Sequence, residues 1–191
     1  MDFNPSKQTD ILPAAGRLLI AEPLLTDPNF ARSVIYICEH GAEGTVGFTL
    51  NRPTAHTLGD LLTDLYTPAL PVYQGGPVQI DTLHLLHRTP SLFGGNEISP
   101  GIFWGGSYDA LQHAVEYDNC QPMDMRLFVG YSGWSAGQLE MEIANGAWIV
   151  ANVDQHLLFN TDTNKLWKSA IQSLGKEFAF LMNVPLNPQL N

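Results

Sequence analysis

The sequence has few basic residues. Lysine and arginine together number 9 against 19 aspartates and glutamates, which gives a formal net charge of −10. The basic residues are scattered from Lys7 to Lys176 and form no stripe. Because proteins that bind nucleic acid neutralise phosphates with clustered cations, direct binding to DNA is not expected.

The sequence also lacks a long apolar run. A helix that spans a bilayer needs about 20 predominantly apolar residues, and no segment of this chain provides them. Residues 1–7 contain no basic stretch followed by an apolar one, as a secretory signal would. We therefore expect no membrane insertion and a cytoplasmic location.

Cysteine is scarce, with Cys38 in an apolar segment and Cys120 in a polar turn. Metal knuckles and redox pairs place their cysteines a few residues apart, and these two lie far apart. Two reduced thiols in a cytosolic protein are the favoured interpretation, and a disulfide between them is left open.

Apolar residues are plentiful enough for one substantial core. The 191 residues, 45% of them hydrophobic, match a single domain at roughly 150 residues per domain. Short β-branched segments outnumber helical ones, and only the later part of the chain clearly alternates strand with helix. The expected fold class is α+β with a mostly antiparallel sheet.

Local patterns predict several elements. Residues 33–39 and 45–50 are rich in β-branched side chains and flank a short spacer that contains glycine. This pattern predicts an antiparallel hairpin. Thr57 is predicted to cap one helix and Ser107 a second. Residues 91–101 are predicted to be a loop.

Residues 130–142 combine glycine, serine and tryptophan between an apolar strand and an amphipathic helix. Ser132 has small neighbours, as in the nucleophile turn of hydrolases, but the fifth position is Trp134 and not glycine. Asp154 and His156 would have to complete a triad, and their spacing of two is poor for it. A packing corner in which Trp134 fills the core is favoured over a catalytic Ser132.

Glycines and one arginine indicate an anion site. Residues 105–107 precede a predicted helix, where free backbone N–H groups bind anions, and Gly75 and Gly76 could approach the same ligand. Arg52 is the best cation to complete such a pocket. The alternative is a strand-ending turn in which the Asn51 side chain binds local backbone.

Metal ligands and acid–base pairs are not indicated. His84 and His87 are three apart on a predicted strand and point to opposite faces, and residues 39–40 lack a third ligand. Glu140 and Glu142 diverge on a helix and are expected to be solvated. We expect no metal and no cofactor.

Several short segments occur together in one order: 16–21, 30–35, 39–40, 44–48, 51–53, 75–78, 130–134 and 138–140. Together they resemble the YqgE/AlgH family of bacterial proteins. The resemblance begins near Gly16, so residues 1–15 are predicted to be a polar tail and residues 16–191 a single domain. It implies a curved, mostly antiparallel sheet flanked by helices and no established biochemical activity. Some members are labelled as transcriptional regulators.

The functional prediction is a non-enzymatic cytoplasmic protein that binds a protein partner or a small anionic ligand. The alternatives are a transcriptional regulator that acts indirectly and a hydrolase that uses Ser132. The predicted binding residues are Asn51, Arg52, Gly75, Gly76, Ser132, Trp134 and Gln138.

Overall fold

The described part of the chain, residues 9–62, 70–117, 122–159 and 161–185 of a computed structural model, forms ten strands and six α-helices. The strands are β1 (Arg17–Ala21), β2 (Val34–Gly41), β3 (Gly44–Thr49), β4 (Pro53–Thr57), β5 (Pro71–Gln74), β6 (Val78–His87), β7 (Asn96–Ser99), β8 (Ile102–Trp104), β9 (Met125–Ser135) and β10 (Trp148–Asn152). The helices are α1 (Leu58–Leu61), α2 (Pro90–Phe93), α3 (Tyr108–Glu116), α4 (Gln138–Ala144), α5 (Gln155–Phe159) and α6 (Thr163–Ser173), followed by a 3₁₀ segment, Lys176–Asn183.

Strand β9 belongs to two halves of the sheet. Its second half, residues 132–135, pairs antiparallel with β3, and the sheet continues through β2 and β1 to β10. Its first half, residues 125–129, lies between antiparallel β6 and parallel β5, and β8 and β7 lie beyond β6. β4 pairs with β5. The sheet is therefore mostly antiparallel, as predicted.

The two halves of β9 meet at Gly130, whose φ is +66°. A Cβ at this position would lie 2.8 Å from the carbonyl oxygens of Gly76 and Val78. Only glycine adopts such a φ without strain and also leaves room for that close backbone approach. This residue therefore permits one strand to serve both halves of the sheet.

Helices cover both faces of the half-sheet formed by β10, β1, β2 and β3. On β1, Leu18 and Ile20 pack into a core cluster with α5, α6 and the 3₁₀ segment. Leu19 alternates to the other face and packs with Leu139 of α4. A third cluster packs α1 and α3 against β5, β6 and β9. The fold class is α+β with a sheet flanked by helices, as expected.

The local predictions are largely confirmed. β2 and β3 form the antiparallel hairpin, Thr57 makes a capping box with Asp60, and the Ser107 hydroxyl accepts a hydrogen bond from the Ala110 amide at 3.3 Å. The predicted loop at residues 91–101 is wrong, because it contains the end of α2 and all of β7. β7 forms by pairing with β8, a tertiary contact that local composition does not encode.

The strand before the predicted strand-to-helix junction is longer than predicted. The helix is confirmed at Gln138–Ala144, but β9 continues through residues 130–135 instead of ending at Val129. Ladder hydrogen bonds depend on backbone and not on side chains, so pairing with β3 keeps Ser132 and its small neighbours in the strand.

Cys38 is a free, buried thiol, whereas Cys120 and residues 1–8 of the predicted tail lie outside the described residues. None of the helices in the described chain is long and apolar enough to cross a membrane.

Candidate anion-binding site

Three cationic side chains from separate segments line one pocket of about 220 Å³. Arg32 precedes β2, Arg52 lies between β3 and β4, and Lys168 lies on α6. Among the described residues that line this pocket, none is an aspartate or a glutamate. We call it the Arg52 pocket, and its lining residues are Arg32, Asn51, Arg52, Thr163, Asn164, Trp167 and Lys168.

Asn51 fixes the turn that carries Arg32. Its Nδ2 donates to the Arg32 carbonyl oxygen at 2.8 Å, and its Oδ1 accepts from the Val34 amide at 3.0 Å. This is the backbone-binding role that the sequence left as an alternative for Asn51. The side chain supports the pocket wall, since both ends of its amide are already engaged.

Arg32 has a φ of +53°, a left-handed conformation that is uncommon outside glycine. Its guanidinium carbon lies 4.5 Å from the centre of the Trp167 ring, and its Nη2 donates to the Val184 carbonyl. Its Nε is buried and has no hydrogen-bond partner among the described residues. The guanidinium is thus held in place by these contacts, although its buried Nε–H donor has none.

Arg52 is anchored to the same turn, because its Nη2 donates to the Ala31 carbonyl. Its own carbonyl accepts from the Gln74 amide at 2.8 Å. Burial lowers the pKa of Arg52, yet an arginine in a protein stays protonated at neutral pH. Arg52 therefore brings a positive charge, partly removed from water, to the pocket.

Helix α6 supplies the opposite wall. Asn164 and Lys168 lie four residues apart and so share one face of the helix. The carboxylate of Asp162 accepts from the Asn164 amide at 2.9 Å and serves as the helix cap. The first turn of α6 is thus capped by Asp162. Thr163, Asn164 and Lys168 of this helix line the pocket.

Gly75, Gly76 and Ser132 are fully enclosed elsewhere. A Cβ on Gly76 would lie 2.2 Å from the Tyr131 carbonyl, so β9 backbone occupies the space that a ligand would need. The Ser132 hydroxyl, completely buried, donates to the Gly75 carbonyl at 2.9 Å and lies 3.2 Å from the Thr49 hydroxyl. These contacts hold β9 against β3 and against the segment that follows β5.

The residues suggested as partners of Ser132 in a triad have other contacts. The His156 Nδ1 lies 3.2 Å from the Thr161 hydroxyl, and Asp154 accepts from the His156 backbone amide at 2.9 Å. The partners of the Ser132 hydroxyl are Gly75 and Thr49. The described contacts therefore show no triad geometry around this serine.

Trp134 and Gln138 meet at Glu142 instead of at the Arg52 pocket. The Glu142 carboxylate accepts from the indole N–H groups of Trp134 and Trp148 at 2.8 and 2.7 Å and from the Gln138 amide at 2.9 Å. The expectation that Glu142 is solvated is wrong, because this half-buried carboxylate ties α4 to two buried indoles. Glu140, by contrast, is exposed.

Two of the three backbone amides at residues 105–107 are already engaged. The Gly105 amide donates to the Leu85 carbonyl and the Ser107 amide to the Phe93 carbonyl, each at 2.9 Å. They line a different pocket from the one that contains Arg52. Within the part of the chain that the structure describes, no three His, Cys, Asp or Glu residues are grouped to hold a metal ion.

The sequence singled out Arg52 but missed Arg32 and Lys168 as its neighbours. Their convergence depends on packing α6 beside the turn that precedes β2, which is not a local property. One signal was available: basic residues are few, so Arg32, Arg52 and the lysines of α6 form a large share of all the cations.

Comparison with known proteins identifies the family of this chain. The AlgH-like family model, DUF179, matches residues 18–179. The chain belongs to the AlgH-like family. A UPF0301 protein of Chlorobaculum tepidum is 38% identical over 177 residues, which cover 92% of this chain and 95% of that protein. A UPF0301 protein of Bacteroides thetaiotaomicron is 33% identical over 191 residues, covering 100% and 97%.

The solved structures of two proteins have the same fold. The solution structure of the AlgH protein from Pseudomonas aeruginosa matches with a TM-score of 0.72 and 32% identity, covering 90% of this chain and 94% of that chain. A crystal structure of a Corynebacterium diphtheriae protein matches with a TM-score of 0.77, 22% identity and coverage of 93% and 95%. The second likeness shows the fold alone.

Proposed function

We propose that this protein is a non-enzymatic cytoplasmic binding protein that holds a small anion in the Arg52 pocket. The observation that carries the proposal is the convergence of three cations, Arg32, Arg52 and Lys168, on a pocket whose described lining contains no carboxylate. In a chain of net charge −10, such a local excess of positive charge calls for a binding partner of opposite sign.

The ion pairs of the described residues support this interpretation. They are His40 with Glu140 at 3.6 Å and Arg88 with Asp124 at 2.9 Å, and neither involves a cation of the Arg52 pocket. Like charges gathered on one site repel each other. An anionic ligand would relieve that repulsion and would also accept the N–H donors that the protein leaves unused.

The size of the pocket limits the ligand. Sites for drug-sized molecules have volumes of about 300–1,000 Å³, and this pocket has about 220 Å³. We therefore infer a small metabolite or an inorganic ion and not a dinucleotide.

The test is a titration of purified protein with small anions, followed by thermal shift and calorimetry. Lys168→Ala is the main variant and Lys165→Ala its matched control, since both lysines are exposed residues of α6 and only Lys168 lines the pocket. Loss of one charge-assisted contact, about 1.5–3 kcal/mol, is expected to raise Kd about tenfold or more.

Lys165→Ala is expected to keep the wild-type affinity, and Arg52→Ala to lose binding. If no small anion stabilises the protein, or if both lysine variants weaken binding equally, the anion-binding function is wrong. The favoured function would then be binding of a protein partner. That function includes the indirect regulatory role with which some family members are labelled.

The hydrolase alternative has less support. Ser132 is enclosed and its hydroxyl is engaged with Gly75 and Thr49, which disfavours attack on a substrate. The hydrolase alternative would be supported if a fluorophosphonate probe labelled the folded wild-type protein and failed to label Ser132→Ala.

A further inference from the structure

We infer that the ligand of the Arg52 pocket is a phosphate monoester of a small hydroxylated molecule, bound through its dianionic phosphate. This inference rests on the proposed function and names its ligand class. It follows from three features of the pocket: the number and placement of its cations, the balance of donors and acceptors in its lining, and the polar groups on its α6 wall.

The cations approach from different elements of the fold. Arg32 and Arg52 come from the turns that precede β2 and follow β3, and Lys168 comes from α6. A carboxylate is planar and has two oxygens, whereas the phosphate of a monoester is tetrahedral and has three peripheral oxygens. Three separate cations are therefore matched better by phosphate, whose charge near −2 at neutral pH also offsets more of theirs.

The charged groups of the lining are hydrogen-bond donors only. Each arginine has five N–H donors and lysine has three, and neither side chain accepts a hydrogen bond. Arg32 and Arg52 each donate from Nη2 to a backbone carbonyl, and each guanidinium carries further N–H donors. An ionised phosphate presents acceptors only, so it complements this set.

Other acceptors near the pocket are already occupied. The Asn51 Oδ1 is bound by the Val34 amide, and the Asp162 carboxylate by the Asn164 amide. The Asn51 amide oxygen carries no charge, and the Asp162 carboxylate, which caps α6, is not among the residues that line the pocket. The phosphate would thus meet no carboxylate in the described lining.

The α6 wall adds groups suited to a hydroxylated remainder. Thr163 and Asn164 both line the pocket, and a hydroxyl and an amide can each donate and accept hydrogen bonds. A small polyol phosphate would place its phosphate at the cations and its hydroxyls at this wall.

The probes are glycerol 3-phosphate, inorganic phosphate and succinate, titrated calorimetrically into the wild-type chain and its variants. Glycerol 3-phosphate is expected to bind tightest, and succinate at least about tenfold more weakly. Thr163→Val, which removes the hydroxyl and keeps the shape, is expected to weaken glycerol 3-phosphate severalfold and leave inorganic phosphate unchanged. Circular dichroism and a thermal melt check that each variant is folded.

The outcomes separate the two proposals. If succinate binds as tightly as the phosphates and the binding depends on Lys168, the anion-binding function stands and the phosphate class is wrong. The inferred hydroxylated part of the ligand is wrong if inorganic phosphate binds as tightly as glycerol 3-phosphate. It is also wrong if Thr163→Val changes the affinities for these two probes by the same factor. If none of the probes binds with dependence on Lys168, both proposals fail.

Discussion

Asn51 illustrates how a polar residue at a turn can support the wall of a pocket, here the proposed anion site, by binding local backbone. Both ends of its amide are held by the backbone of the turn at residues 32–34, and the neighbouring Arg52 donates to Ala31 of the same turn. Two adjacent residues thus fix the segment that carries Arg32. Preorganised cations lose less side-chain freedom when an anion arrives.

His87 is a second residue whose surroundings have a measurable consequence. It is fully buried on β6 between the rings of Phe93 and Phe103, and its Nδ1 accepts from the Thr89 amide at 3.2 Å. Burial lowers the pKa of His87, an effect that the nearby Gly105 backbone partly offsets. The folded state therefore favours the neutral ring.

This predicts a loss of stability in acid. Below the ordinary histidine pKa of about 6.5, the unfolded chain binds the proton more tightly than the folded one, so the free energy of unfolding falls as pH falls. Each such histidine contributes at most about 1.4 kcal/mol per pH unit. His84, whose pKa burial also lowers, acts in the same direction. Urea denaturation from about pH 7 to about pH 5 measures the slope.

His87→Gln is expected to make that slope shallower, whatever it does to the stability at neutral pH. His156→Gln, at an exposed position of α5, is the control for loss of a histidine. An unchanged slope in His87→Gln would mean that other groups govern the response to acid.

At the scale of single residues, the sequence was informative where the chemistry is local. Asn51 binds neighbouring backbone, as one of its two interpretations held, and Trp134 fills the core. Glu142 was misjudged, because two of its three partners, Trp134 and Trp148, lie on strands. No spacing rule within α4 could place them there.

The Glu142 carboxylate ties helix α4 to the sheet, together with the packing of Leu139 in the core. Glu142 accepts from two buried indoles and from Gln138. The indoles in turn pack on Phe30, whose ring centre lies 6.1 Å from that of Trp134 and 5.6 Å from that of Trp148. The carboxylate thus joins the helix to β9 and β10 within an aromatic cluster, beside the hydrogen bond that the Ser135 amide donates to the Gln138 Oε1 at 3.0 Å.

Glu142→Ala is expected to destabilise the protein by about 2–4 kcal/mol, because two indole N–H groups lose a charged acceptor. Glu140→Ala is the matched control on the same helix. Its side chain is 51% exposed and contacts His40 at 3.6 Å, so its removal is expected to cost within about 0.5 kcal/mol. Urea denaturation monitored by tryptophan fluorescence compares them, and equal midpoints would contradict the proposed attachment.

The elements divide into those that the sequence specifies locally and those that it does not. The helices capped by Thr57 and Ser107 carry their start signals within one turn. Strand β7 and the second half of β9 do not, because each exists through pairing with a distant strand. Glycine-rich sequence predicts a break in β9, but the neighbouring β3 overrides that local preference.

The whole molecule has a net charge of −10, which opposes association with nucleic acid. Three cations in one small pocket are too few for a duplex interface, which typically neutralises about 6–10 phosphates. We expect no change in the anisotropy of a fluorescent DNA duplex at about 50 mM salt. Binding that weakens steeply with salt and disappears in Lys168→Ala would instead mean that the pocket accepts a phosphodiester backbone.

The fold class and the antiparallel character of the sheet follow from composition and strand patterns, but the order of strands does not. The parallel pairing of β5 with β9 and the sequence of strands from β10 to β7 depend on contacts between distant segments. The Arg52 pocket has the same origin, since Arg32, Arg52 and Lys168 meet only when α6 packs on the sheet.

β9 is hydrogen-bonded to β3 along one half and to β5 and β6 along the other. The two halves of the sheet therefore cannot separate without breaking hydrogen bonds of the strand that they share. The two halves should therefore melt together, as one cooperative unit. The amide protons at the centre of β9 would then exchange with solvent only when the entire chain unfolds, and their exchange rates would report the global stability of the protein.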